Sequence, residues 1–593
     1  LKFIHLLLIL TAAAFILRLT FCFEQAAVDN GINMVVTPLS CTDMATYMDL
    51  SKKVIEGNFA GEIDYQPFYY MVFLPVVHFF SRCLTGVLIA QSLLGAATVF
   101  LCGLASAKIW GRKAGIIAAL LLLFCGPLIL YTPFHLIATL QAFWFILLFL
   151  ISLSAVKKNK IWLWGILGFI TGCSILTRGN AWLFVPGLIF AILYPAFKLP
   201  FDLKKNLPRQ ILSVLLFIFM LFLSMLPFIC YNSKVKGELT GPSTAGGKVL
   251  LLGNTPEAPP GSLDYTKTLF SWMAQKDKVS ELERIWRWFK KEPVVLLELQ
   301  FRKLLLFWDH REIPNNISWY HSKGQSNILS IGGFIPTAVI MSLALAGILL
   351  YSPKLRTKWK LALLFYFVVA SWFGVSAFYI LARFRVPVIP LLSVYASGTI
   401  VLAWQQIKNS KRSKLLKQTL PCILFGFLVC YLCYDIYRYN YEAAIMRLIR
   451  PNGVDVEINP DKFMFLDNGP MALGGWTLLT PATGMKIEKE FAGVDVAQFK
   501  SSHFALNIAS KDAASITLRI NGKETTLTLE KGDMTEKEIP FALSATNKVN
   551  IEIIKFSPEI YLLIDGQRDY GRTQIDGENA NGELVCRLYC NKK

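Results

Sequence analysis

Eleven long apolar runs decide what this chain can become. Each is long enough, at about 1.5 Å of helical rise per residue, to cross a hydrocarbon core of roughly 30 Å. They are 3–21, 84–107, 114–131, 134–156, 161–177, 181–197, 210–231, 332–352, 361–381, 386–405 and 418–434. Some contain Pro or Gly, which a bilayer tolerates where neighbouring helices satisfy the freed backbone. With 54% hydrophobic and 17% charged residues over 593 positions, the chain departs from a soluble enzyme, which is about a quarter charged. Secreted single-domain, disordered and collagen-like readings are excluded on the same ground. A polytopic α-helical membrane protein with about eleven transmembrane helices is expected.

The net charge of +20 invites a nucleic-acid reading until it is located. Lys108, Arg112 and Lys113; Lys157, Lys158 and Lys160; Lys198, Lys204, Lys205 and Arg209; Lys354, Arg356, Lys358 and Lys360; and Lys408, Lys411, Arg412, Lys414 and Lys417 fill five short connectors. These 19 cations face a single acid, Asp202. The positive-inside rule puts such connectors in the cytoplasm, and topology then explains nearly the whole excess, so no nucleic-acid partner is expected. Eleven crossings with Lys2 inside place the N-terminus in the cytoplasm and the C-terminal region outside. A cleaved signal peptide would also begin with Lys2 ahead of a Leu-rich stretch. Arg18 favours a retained span, because a charge there is costly unless it snorkels or meets a polar site.

Three pieces fall on the outer face: 22–83, 232–331 and 435–593. In the first, Tyr47, Leu50, Val54 and Ile55 recur at helical spacing, which predicts an amphipathic helix over 43–58. The apolar, aromatic stretch 67–82 is too interrupted for a crossing and is placed in or dipping into the outer interface. In the second, turn residues fill 240–264 and a helical pattern runs from 265 to 308.

Beyond about 451 the pattern changes to short alternating runs. Asn521-Gly522 between SITLRI and KETTLTLE is a two-residue hairpin signal. Further strands are expected at 462–466, 485–491, 503–509, 536–542, 548–556, 559–564 and 583–589, which together predict a soluble β-sandwich over 436–593. Such a fold hosts many functions. It binds glycan, recognises an acceptor or shields a site, with Trp476, Tyr561 and Tyr570 as the available aromatics.

Of twelve cysteines, Cys22 with Cys41 and Cys586 with Cys590 fall on the oxidising side and are candidate pairs; the other eight read as small hydrophobes in or beside spans. Neither pair has the extra ligands of a zinc site. The histidines are scattered. No phosphate-binding Gly-rich loop or nucleophile elbow occurs.

What stands out chemically is an acidic first outer loop, with Glu24, Asp29, Asp43, Asp49, Glu56, Glu62 and Asp64, followed by Arg178, Arg383 and Arg385 at the outer ends of later spans. Cations at that depth want an anion, and a lipid phosphate is the natural one; each also fits as a snorkelling or helix-ending residue.

Residues 1–435 carry, in order, Arg18, Asp43-Met-Ala-Thr-Tyr47, YQPFYYMVFLP (65–75), IAQSLLGA (89–96), GRKAGIIAALLLLFCGPLILY (111–131), LTRGNAWLFVPG (176–187), GNTPEAPPG (253–261), FWDHREIPNN (307–316) and ARFRVPVIP (382–390). In this order the pieces resemble the polyprenyl-phosphate-sugar-dependent glycosyltransferases of the GT-C fold, the group that includes protein O-mannosyltransferases and lipid A aminoarabinose transferases. The resemblance implies a GT-C-like transmembrane domain; a mass of 66.8 kDa with short loops reads as a bacterial inner-membrane protein. The resemblance implies a polyprenyl-phosphate-sugar donor and an acceptor protein, lipid or glycan. It also implies that Asp43 is the catalytic base and that the loop arginines with Arg383 and Arg385 hold the lipid phosphate. The family often carries a second acid directly after the first; here that position is Met44.

Elementary chemistry agrees. A sugar on a lipid phosphate already has a good leaving group, so one carboxylate suffices where a glycosidase uses two. Asp43 would deprotonate the acceptor hydroxyl as it attacks the anomeric carbon with inversion, and arginine charge would offset the departing phosphate. Asp43 also fits as a helix N-cap; Asp29 and Asp64 are the reserve acids. Arg178, Arg302 and Lys303 join Arg383 and Arg385 as phosphate candidates. Tyr47, one turn beyond Asp43, either orients base or sugar or packs. Tyr65, Gln66 and Tyr69 are pocket candidates or a headgroup belt. Glu312, Asn315 and Asn316 suit sugar hydroxyls or simple turn chemistry. Neither metal nor cofactor is expected. The competing reading is a flippase or transporter of lipid-linked glycan, which predicts inverted repeats and charges near the bilayer midplane.

Overall fold

The computed structural model describes residues 2–28, 33–38, 42–197, 203–256, 258–261, 263, 266–274, 279–355, 357–449, 463–467, 476–491, 499–531, 534–541, 548–565, 571–580 and 583–592. Among them eight helices are long and apolar enough to cross a membrane: Phe3–Ala26, Leu84–Trp110, Ala138–Lys158, Leu207–Lys236, Thr337–Lys354, Trp359–Ser376, Ala382–Lys408 and Arg412–Tyr437. Phe68–Phe80, Ile161–Thr177 and Gly179–Pro195 are shorter apolar helices. The chain is a polytopic α-helical membrane protein with a strand-rich C-terminal region outside the membrane.

The run 114–131 is not one helix. Arg112–Leu123 stops, and Gly126–Leu130 starts afresh with Pro127 at its beginning, because proline can open a helix but not continue one. Ile335 pairs with the break: its N–H donates to the Phe124 carbonyl at 2.7 Å, and its carbonyl accepts from Gly126 at 3.2 Å. Stopping at 123 leaves the last carbonyls of the first piece without helical donors. Arg18 supplies one, its Nη2 donating to the Leu122 carbonyl at 3.1 Å while Nη1 reaches Ala14 at 3.3 Å. Arg18 is therefore buried and does not snorkel. Gly95 makes room for it, since a Cβ there would lie 2.6 Å from Arg18 Cδ.

The run 181–197 is also divided, into a 3-10 turn Gly179–Phe184 and the helix Val185–Phe197. The apolar stretch that ends at 381 leaves the helix at Ser376, so residues 377–381 are free to pair with outer loops.

Between the long helices Phe3–Ala26 and Leu84–Trp110, Asp43–Ile55 is a helix. Tyr47 packs from it, with Leu50 and Val54, onto Tyr69 and Tyr70. Phe68–Phe73 is π-helical and Leu74–Phe80 α-helical; Tyr69 and Tyr70 are buried while Phe79 and Phe80 are fully exposed. The helical pattern over 265–308 becomes Lys267–Ala274, Glu281–Lys291 and Pro293–Leu306. The loops between these elements zip together: Ile380 donates to the Pro260 carbonyl at 3.1 Å, and Ala382 to the Ile313 carbonyl at 2.8 Å.

The C-terminal region holds a seven-stranded and a six-stranded sheet, and one apolar cluster draws Ile487, Ile516 and Ile551 from the smaller sheet and Phe504, Leu506 and Leu562 from the larger. The predicted hairpin joins Ala514–Ile520 to Lys523–Leu529, with Asn521 at φ 46° and Gly522 at φ 86°, the left-handed pair that a type I′ turn requires. Sequence reasoning missed Trp476–Leu479, Gly571–Ile575 and Glu578–Asn579, which are short, or too polar to alternate. Of the candidate pair Cys22 and Cys41, Cys22 is a buried free thiol 3.6 Å from Ser92 Oγ, because its helix turns it inward, and Cys41 lies outside the described residues. Cys586 is buried, and the side chain of Cys590 lies outside the description, as do those of Trp476 and Tyr570.

Close helix packing depends on small residues. Helices Ile161–Thr177 and Leu203–Lys236 approach so closely that a Cβ on Gly168 would lie 2.1 Å from the Phe217 carbonyl oxygen, and one on Gly172 2.7 Å from that of Leu221. This is small-residue packing between membrane helices. Gly168→Val is expected to cost about 1–3 kcal/mol through overpacking, read as a lower melting temperature in detergent. Gly324→Ala, with nothing near its added Cβ, should melt as the wild type does.

Candidate active site

The N-cap of helix Asp43–Ile55 is Thr42, whose Oγ1 accepts from the Ala45 N–H at 3.4 Å. Capping therefore does not occupy the Asp43 carboxylate. Its Oδ2 instead accepts from Arg383 Nη1, an ion pair whose side chains are 29% and 11% exposed. Asn316 joins the two: with its amide oriented by these contacts, its oxygen accepts from Arg383 Nη1 at 3.2 Å and from the Asp43 backbone N–H at 3.1 Å. Its nitrogen then donates to Asn315 Oδ1 at 2.8 Å.

A cavity of about 620 Å³ opens beside this pair, lined by Asp43, Tyr47, Tyr65, Gln66, Arg178, Tyr379, Arg383 and Phe384, with Asp64 and Lys248 also on its wall. Arg178 follows the last residue of helix Ile161–Thr177 in extended backbone. Its guanidinium stacks 3.8 Å from the centroid of Phe384, a cation–π contact. Its buried Nη1 has no hydrogen-bond acceptor among the described residues. The Arg383 guanidinium lies 5.1 Å from the centroid of the same ring.

Tyr47 donates to Gln66 Oε1 at 2.8 Å. Burial, and after it the Asp43 charge, push its phenol well above the ordinary tyrosine value, so it remains a donor at neutral pH. Asp64, the reserve acid, is held by Lys248 Nζ at 3.1 Å and Thr244 Oγ1 at 3.0 Å; Asp29 lies outside the described residues.

Several predicted site residues face elsewhere. Arg385 does not reach the cavity: it is 1% exposed, and its guanidinium donates to the Asp309 carbonyl at 2.5 Å, to the Arg311 carbonyl and to Glu312 Oε2 at 3.2 Å. The cause is helical geometry, since residues two apart on one turn point to nearly opposite sides. Glu312 is buried against Arg385 and Thr337 Oγ1, which removes it from a sugar. Lys303 donates to the Gly253 carbonyl at 2.6 Å and Asn254 Oδ1 at 2.9 Å. Burial and then the Arg302 charge bring its amine well below the usual lysine range. Arg302 lies 3.6 Å from Glu298, and Tyr69 donates to Gln91 at 3.3 Å. None of these five lines the cavity. Sequence reasoning missed Phe384 and Tyr379; the aromatic between the two arginines of ARFR was the available signal. No three His, Cys, Asp or Glu side chains converge among the described residues.

No protein-family model matches the chain, and no curated protein matches it in sequence. Among solved structures it is similar to the archaeal oligosaccharyltransferase AglB from Archaeoglobus fulgidus in complex with an inhibitory peptide and a dolichol-phosphate, at 13% identity and a TM-score of 0.42, covering 77% of this chain and 58% of that one. It is similar to ArnT from Cupriavidus metallidurans bound to undecaprenyl phosphate, at 16% identity and a TM-score of 0.38, covering 75% and 72%. It is also similar to the arabinosyltransferase EmbB from Mycobacterium smegmatis, at 10% identity and a TM-score of 0.28, covering 97% and 64%. The alignment with AglB thus spans less than two thirds of that enzyme's length.

Asn316 is the joint on which the geometry turns. Asn316→Leu would leave the Asp43 N–H and one Arg383 donor short of an acceptor in a half-buried place, at an expected cost of about 1–3 kcal/mol. Thermal denaturation in detergent should register it, and an unchanged melting temperature would show that Asn316 does not bridge the pair.

Proposed function

We propose that this chain is a membrane glycosyltransferase of the GT-C type, which transfers a sugar from a polyprenyl-phosphate carrier to an acceptor hydroxyl of a protein, lipid or envelope glycan. The observation that carries the reading is that Asp43 and Arg383, 340 positions apart, meet on a cavity wall that Arg178 also lines. A carboxylate beside cations is what inverting transfer from a phosphate ester needs. The acceptor oxygen forms its bond to the anomeric carbon as the bond from that carbon to the phosphate oxygen breaks. The hydroxyl proton passes to Asp43, and the electron pair leaves on the phosphate.

Arg383 touches Oδ2 of Asp43, so Oδ1 is the oxygen that takes the proton. Arg178 and Arg383 offset the charge that builds on the leaving phosphate. Such prepositioned donors are worth about 2.7–4 kcal/mol each where one has been removed from an oxyanion hole. Phe384 presents its ring face to Arg178 and lies close to Arg383 as well. The apolar lining around Trp182, Val375 and Phe378 suits a prenyl chain.

The same reading takes all eleven apolar runs as crossings, including the divided run 114–131 and the shorter helices Ile161–Thr177 and Gly179–Pro195, with Phe68–Phe80 left at the interface and the basic connectors and the N-terminus in the cytoplasm of a bacterial inner membrane. The cavity and the two C-terminal sheets, packed as a sandwich, then lie on the outer side.

Purified protein supplied with labelled sugar on undecaprenyl phosphate is expected to transfer it. Asp43→Asn should lower kcat by about 10²–10⁴-fold, the range for loss of a general base, with donor binding retained. Arg178→Ala and Arg383→Ala should each weaken binding of undecaprenyl phosphate. Arg385→Ala should instead lower the melting temperature. Transfer at the wild-type rate by Asp43→Asn would end this proposal.

A further inference from the structure

The loop that brings Asn315 and Asn316 to the Asp43–Arg383 pair is anchored at its other end by charge. Asp309 and Arg311 are almost fully buried. Arg311 Nε donates to Asp309 Oδ1 at 2.7 Å and Nη2 to Oδ2 at 2.8 Å, a two-pronged pair with the geometry that favours arginine over lysine. Nη2 also donates to Oδ1 of Asp435, which lies 124 positions away, at the outer end of helix Arg412–Tyr437. Burial opposes the Arg311 charge, and the Asp309 and Asp435 carboxylates more than offset it, holding the guanidinium above its ordinary value.

The contact is one rung of several. The His310 ring stacks on Tyr431 at 4.8 Å, and the His310 N–H donates to the Cys430 carbonyl at 2.9 Å. Tyr437 Oη donates to Glu298 at 2.5 Å. From Arg311 the link continues to the site. The Arg311 and Asp309 carbonyls receive Arg385, and Arg385 shares the turn Ala382–Arg385 with Arg383.

We infer that Arg311 and Asp435 are positioning residues, and that their ion pair straps the loop bearing Asn315 and Asn316 to the last membrane helix, so that this helix sets the place of the Asp43–Arg383 pair. The assignment to catalysis rests on the transferase reading. The strap itself does not. Helix Arg412–Tyr437 continues in helical structure to Ile449, ahead of the first C-terminal strand at Phe463, so the helix that carries Asp435 is also the one that leads in sequence to the strand-rich region.

Asp435→Asn is the informative variant, because Arg311 keeps Asp309 and the loop keeps its buried charge compensated. In the full-length protein, hydrogen exchange over 307–316 and 380–386 should quicken, while exchange in the 514–529 hairpin stays at the wild-type rate. The donor KM should stay within about threefold of the wild type while kcat falls about 10–100-fold, the range expected when reacting groups shift by around 1 Å. Asp435→Glu, which keeps the charge, should recover most of both losses. Wild-type exchange or a wild-type kcat in Asp435→Asn overturns the strap, as does failure of Asp435→Glu to recover. If the wild-type protein transfers no sugar from any polyprenyl-phosphate donor, the transferase reading falls, and exchange alone decides the strap: acceleration in Asp435→Asn supports it and its absence overturns it.

Discussion

A guanidinium surrounded by apolar helices keeps its charge only where oxygens face it, because desolvation of an unpaired ion costs several kcal/mol, of the order that buried pairs repay. That constraint organises the membrane part of this protein. Arg18 meets it at the end of an interrupted helix, on the Leu122 carbonyl. Arg385 meets it on the Asp309 and Arg311 carbonyls and on Glu312. Arg383 meets it on Asp43. In each case irregular backbone or an acid faces a buried cation. Arg178 is the exception: an aromatic face covers its guanidinium, and its buried Nη1 has no acceptor among the described residues.

The same constraint explains why the outer loops form one body. Residues 253–261, 309–316 and 377–383 contribute little regular structure, yet Asn254 donates to the Ala377 carbonyl at 2.9 Å, Lys303 holds Gly253, and Ile380 and Ala382 bond to Pro260 and Ile313. Gly253 has no alternative at its position, since a Cβ would lie 2.0 Å from the Phe378 carbonyl oxygen. A loop bonded on both sides holds a side chain nearly as firmly as a helix does, and pre-organisation of that kind gives positioned charges their catalytic worth.

Much of this was legible in the sequence because it depends on local pattern. Apolar length located the helices, and Asn521-Gly522 located the hairpin. The order of short motifs singled out Asp43 and the arginines. What was not legible depends on direction. The spacing of Arg383 and Arg385 says that they leave their turn on different sides, but not which side holds the cavity; that is settled only when residues 307–312 fold over Arg385. The break at Phe124 was hidden because apolar residues continue through it, and only Ile335, more than 200 positions later, supplies the backbone partners that permit it. Lys303 and Glu312 carry charges that look free in sequence and are spent on neighbouring loops. Asp435 drew no notice because its partner stands 124 positions away.

Asp43 is paired with Arg383, and a carboxylate beside a cation suits a reaction whose leaving group departs readily as an anion. A glycosidase faces the opposite problem and keeps one carboxyl protonated to help a poor leaving group depart. Here Tyr47 is held neutral by burial, and no second carboxylate follows Asp43 in the chain, where Met44 is buried instead. On the proposed reading, the cations beside Asp43 fit a phosphate leaving group better than an alkoxide, while Asp64, the other acid on the cavity wall, is held by Lys248 and Thr244.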